Sequence, residues 1–84
     1  MNKILVEIFC PSVSKNYDFW IPKKMNVQKA ILIIMEEIKS HEENDNLFTN
    51  PNDIMLLSKT DGCLNKSLTF ENQGVKSGDT LVII

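Results

Sequence analysis

Near the start of the chain Ile4, Val6 and Ile8 alternate with Leu5, Glu7 and Phe9, the two-residue period of a strand. Only the register that buries Ile4, Val6 and Ile8 leaves the Glu7 carboxylate in water, so residues 3–10 are predicted as a first strand with that face inward. Pro11, Ser12, Val13, Ser14 and Asn16 then supply a turn. The aromatic and β-branched run Tyr17–Ile21, ended by Pro22, reads as a second strand hairpinned on the first. Tyr17, Phe19 and Ile21 share one face of it; Asp18 and Trp20 share the other. The period then lengthens. Val27, Ala30, Ile31, Ile34, Met35 and Ile38 recur at helical spacing behind Asn26, whose side-chain oxygen suits an N-cap, and a helix is predicted over about residues 27–40. Its isoleucines have modest helix propensity, so packing must hold it; burying each large aliphatic is worth roughly 1.5–3 kcal/mol.

Beyond the helix the pattern turns polar. Glu42, Glu43, Asp45 and Asp53 with four asparagines and Pro51 make a long acidic loop, pinned to the core at Leu47 and Phe48. The last third reads as three short strands: Ile54–Leu57, then Cys63–Leu64 turned back by Asp61-Gly62, then Leu81–Ile84 after the punctuation of Gly74 and Gly78. A run apolar on both faces suits a central strand, which places the last strand mid-sheet. The expected class is α+β, in the order β-β-α-β-β-β, with a mixed sheet packed on one helix.

Size limits the function. Eighty-four residues make one domain, 1–84, that buries only roughly 60–65% of its extended surface and leaves no room for a deep cleft. The net charge is −2, and the nine basic residues are all lysines dispersed among acids. Nucleic-acid binding wants a clustered basic face, so no nucleic-acid partner is expected. Cys10 and Cys63 are too few for a disulfide scaffold and too far apart for a metal or redox motif. They read as reduced, buried or half-buried thiols. No run approaches the ~20 apolar residues that span a bilayer, and Met1-Asn2-Lys3 leads straight into a strand, so a soluble cytoplasmic protein without direct membrane insertion is expected.

With these elements in place, Phe70, Val75, Gly78, Asp79, Leu81 and Ile83 carry a resemblance. An apolar residue, a second one five positions on, then Gly-Asp-x-Leu-x-Ile is similar to the ubiquitin-like β-grasp pattern, most closely its bacterial YukD/EsaB branch. The resemblance covers nearly the whole chain; the long acidic loop and Leu68 beside Phe70 depart from it. It implies a β-grasp fold and an accessory or regulatory role in type VII (ESX-like) secretion. The pattern encodes a loop closing on a core strand rather than chemistry, so it bears on fold more than on pathway. Conjugated modifiers and carriers of this superfamily need a slim Gly-Gly tail for activation, whereas this sequence ends in Ile83-Ile84. Activation at that carboxylate is not expected; a carrier whose tail is missing here, or a nucleic-acid-binding β-grasp module, is the alternative. Iron–sulfur relatives need about four thiolates, and this chain has two cysteines.

Candidate chemistry is thin. His41, near the helix end, reads as a favourable charge against the dipole, and Glu36-Glu37 and Glu42-Glu43 as solvated surface. No catalytic residue, cofactor or metal is expected. What remains is surface for a protein partner. If Ile4, Val6, Ile8, Leu81 and Ile83 face the helix, alternation turns Leu5, Phe9, Val82 and Ile84 to the other side of the sheet, on strands expected to be neighbours. Leu57 joins them by rough analogy with the patch through which ubiquitin is recognised, and Trp20 extends them from an edge strand. These six are the candidate partner-binding residues, with a cytosolic part of a secretion machine as the partner. A homodimer joined along the edge of the second strand is also compatible with the pattern, and Ile33 falls alone near the middle of the polar side of the helix.

Overall fold

Lys3–Cys10 (β1) and Lys15–Pro22 (β2) pair antiparallel from Lys3 opposite Pro22 to Cys10 opposite Lys15, a hairpin with no slip in register. The computed structural model describes residues 2–60 and 62–84. After the hairpin come Val27–Glu42 (α1), a 3-10 turn at Pro51–Asp53, Leu56–Ser58 (β3), Gly62–Cys63 (β4), a second 3-10 turn at Glu71–Gln73, and Thr80–Ile83 (β5). The sheet order is β2-β1-β5-β3-β4. β5 runs parallel to β1 and antiparallel to β3, so the sheet is mixed and the last strand lies at its centre, as its double-sided apolar pattern predicts.

Helix α1 begins where Asn26, in extended backbone, accepts a hydrogen bond from the Gln28 amide. It buries Val27, Ala30, Ile31, Ile34, Met35 and Ile38, the predicted stripe, but runs to Glu42, two residues past the predicted end. The stop is made by Glu43, whose backbone turns left-handed (φ 54°) and donates to the Lys39 and Ser40 carbonyls. Glycine or asparagine usually takes that conformation, so no residue announced the stop. Against this helix pack Val6, Ile8, Leu56, Leu81 and Ile83, each buried essentially completely, and Phe48 closes the core from the acidic loop.

The third quarter shifts most. Ile54 is buried ahead of β3 rather than within it, and β4 is Gly62–Cys63 rather than Cys63–Leu64. Leu64 instead drops into the core while its amide donates to the Leu56 carbonyl at 2.8 Å. Asp61, read with Gly62 as a turn signal, lies outside the described residues. The closing loop behaves as its motif requires. Phe70 and Val75 are buried, and the amide of Gly78, at φ 96°, donates to the Leu5 carbonyl at 2.7 Å. Open space surrounds the position of a Cβ there, so the backbone angle, not crowding, demands glycine.

Candidate functional site

Cross-strand register decides which outward side chains meet. Phe9 of β1 lies opposite Val82 of β5, Val82 opposite Leu57 of β3, and Leu57 opposite Cys63 of β4. A single row, apolar but for the thiol, thereby crosses four strands on the face away from the helix. Ile84 and Met55 follow in the next row, their backbones exchanging two hydrogen bonds of 3.0 Å, with side chains 49% and 38% exposed. Phe9, Val82 and Leu57 are half-buried by one another.

Leu5 and Trp20 face each other across β1 and β2, Trp20 being 56% exposed. They do not join the row. Between them and Phe9 runs a polar line, Asp18 opposite Glu7 opposite Thr80, in which the Thr80 hydroxyl donates to Glu7 Oε1 at 3.1 Å. The six predicted residues thus all lie on the outward face but fall into two clusters: Phe9, Leu57, Val82 and Ile84 together, Leu5 and Trp20 apart. Met55 was missed, although alternation from Leu57 would have found it. Cys63 was read as buried or half-buried; only Cys10 is buried, and Cys63 is exposed because the two-residue β4 is the sheet edge.

A second cluster lies where the C-terminal end of α1 meets the hairpin. The Tyr17 hydroxyl donates a hydrogen bond to Glu42, Lys15 Nζ lies 3.1 Å from the same carboxylate, and His41 meets the Tyr17 ring edge-on at 5.5 Å between centroids. Burial, and then the carboxylate beside it, push the Tyr17 phenol up to about 12. The hydrogen bond from Tyr17, aided by Lys15, holds Glu42 below the ordinary carboxylate range. Glu42 was expected to be solvated; it is half-buried because the two extra helical residues carry it over β2. The cluster ties helix end to hairpin.

The outward side of α1 is less polar than expected, since Leu32 as well as Ile33 is exposed. No helix among the described residues is long and apolar enough to cross a membrane.

No protein-family model matches the sequence, and no curated protein matches it. Solved structures do. The EccD5 ubiquitin-like domain from Mycobacterium xenopi superposes with a TM-score of 0.78 at 16% identity, over 100% of this chain and 94% of that one. The chain has a ubiquitin-like fold. The ubiquitin-like domain of Plasmodium falciparum Dsk2 gives 0.75 at 16% identity, over 96% of this chain and 95% of that one. That of yeast Ddi1 gives 0.72 at 15% identity, over 99% and 88%. Identities this low speak for the fold alone. Ubiquitin-like domains commonly mediate protein–protein interaction and are generally non-enzymatic, and the outward sheet face of this one carries exposed Trp20, Met55 and Ile84.

Proposed function

We propose that this ubiquitin-like domain is a non-enzymatic interaction module that seats a protein partner on the outward face of its sheet. The observation that carries the reading is the row Phe9–Val82–Leu57, continued by Ile84 and Met55. Contiguous apolar surface of a few hundred Å² on a small domain commonly marks an interface. In this proposal the row is the centre of the footprint and Leu5–Trp20 a second anchor, with Glu7 and Thr80 between them giving polar register. The partner is a cytosolic component of a type VII secretion machine, and the domain works in the cytoplasm as an accessory of the YukD/EsaB kind. The Gly-Asp-x-Leu-x-Ile resemblance supports that direction, and the EccD5 domain shares the fold.

The test is a pull-down using the cytosolic part of a secretion ATPase from the same genome as bait. Val82→Asp abolishes capture and Leu5→Asp weakens it, while circular dichroism shows both folded; unchanged capture by both variants overturns the face. Neighbouring genes for such an ATPase and for small helical substrates support the pathway, and a solitary gene counts against it.

A further inference from the structure

The two edges of the sheet differ. One is β4, two residues long. The other is β2, eight residues long, with Asp18 its only charge between Lys15 and Pro22. Long open edges invite pairing, and natural proteins usually shorten or charge them.

The direction of the free backbone groups on β2 follows from β1. Leu5 and Glu7 spend their backbone groups toward β5: the Leu5 amide on Ser77 Oγ at 3.0 Å, the Leu5 carbonyl on Gly78 at 2.7 Å, and the Glu7 amide on Asp79 at 2.9 Å. Their partners across the hairpin, Trp20 and Asp18, are therefore non-hydrogen-bonded pairs whose own amides and carbonyls point away from β1. By alternation Asn16 does the same. Among the described residues nothing bonds to these groups. Beside this edge a groove of about 50 Å³ opens between β2 and α1, lined by Phe19, Ile21, Met25, Ala30, Ile33 and Ile34. It is far below the ~300 Å³ at which small-molecule sites begin. It has the scale of an inserted side chain.

We propose that this edge pairs antiparallel with β2 of a second copy of the chain about a two-fold axis, extending the sheet to ten strands. Same-face pairing requires the axis to pass through a residue. An axis at Asp18 sets two carboxylates face to face. An axis at Phe19 sets Asp18 opposite the partner's Trp20, with each pair exchanging both backbone bonds, and lines Tyr17, Phe19 and Ile21 against Ile21, Phe19 and Tyr17 over the groove. Lys15 then faces Lys23 of the other copy, and each already has its own counter-charge: Glu42 at 3.1 Å and Glu71 at 3.3 Å. Hydrogen bonding is thus self-complementary in that register, and the like charges that meet across it, Lys15 and Lys23, are each neutralised within their own copy.

So narrow an interface gives weak association, with dimer growing in between roughly 10 µM and 1 mM. Sedimentation equilibrium across that range should show the mass doubling. Asp18→Pro removes an amide hydrogen that β1 does not use, so it should stay folded and monomeric. In a Cys63→Ser background, Phe19→Cys places two thiols across the axis, where Cα atoms of such a pair lie about 4.5 Å apart, and mild oxidation should give a covalent dimer that Asn44→Cys does not. A wild-type chain monomeric throughout, a dimer indifferent to Asp18→Pro, or no preferential cross-link at position 19 overturns the proposal. If Asp18→Pro unfolds, the cross-link alone decides. The dimer is scored by mass and by cross-linking of the chain alone, with Phe9, Leu57 and Val82 in place, so loss of the dimer and loss of partner capture are read separately.

Discussion

The two faces of the sheet are built from alternate residues of the same strands and do different work. On β1, Val6 and Ile8 are fully buried under α1, while Phe9, one step on, is half in solvent beside Val82 and Leu57. Inner residues meet helix, loop and sheet together; outer residues meet only their cross-strand neighbours. Stability and recognition are therefore separable along one strand, residue by residue.

The sharpest way to break that comparison is on the inner face. Ile8→Ala or Leu81→Ala removes a fully buried side chain and should cost about 2–5 kcal/mol in urea unfolding; a loss as small as that of an outer substitution would erase the distinction. Val82→Asp sits on the same strand as Leu81, outward, and should cost about 1 kcal/mol while eliminating partner capture. Leu5→Asp then separates the two outer clusters. Lying beyond the Glu7–Thr80 line, it should raise the dissociation constant several-fold rather than abolish binding, and titration calorimetry with the bait distinguishes the cases.

The inner face has one polar rim, and pH should expose it weakly. Glu42 favours its ionised form in the fold, so its contribution is present above the ordinary carboxylate range and lost as pH falls through its lowered value. Tyr17 is the reverse. Its neutral phenol is favoured, so its contribution is intact below pH ~10 and lost as pH climbs toward about 12. Urea midpoints should therefore drop at both ends, and Tyr17→Phe should flatten both drops; an unchanged profile would detach the cluster from stability.

Most of the fold was legible because its first half obeys simple periods. Ile4, Val6 and Ile8 at period two, and the stripe from Val27 to Ile38, each admit one burial pattern, and β1 came out with its predicted bounds. The stretch around β3 and β4 was less legible, since Ile54 and Leu64 are buried by loop conformation rather than by strand alternation. The site was half legible. Alternation says which side chains face outward, but only register says which stand together, and it is the pairing of Glu7 with Asp18 and Thr80 that divides the six. Glu42 escaped because the helix runs two residues further, to a stop made by Glu43 in a conformation that glutamate seldom adopts.

The seam between β1 and β5 joins positions as far apart as Leu5 and Ser77, 72 residues along the chain. On the ribosome, the hairpin and helix emerge long before the strand that completes their sheet. Until residues 80–83 are released, β1 has an unfilled flank and the helix stripe only part of its floor, so a nascent chain must wait, partly assembled, for its final strand. Closing that long-range seam, rather than the strength of any early element, is then what governs how long sticky surface stays uncovered during folding.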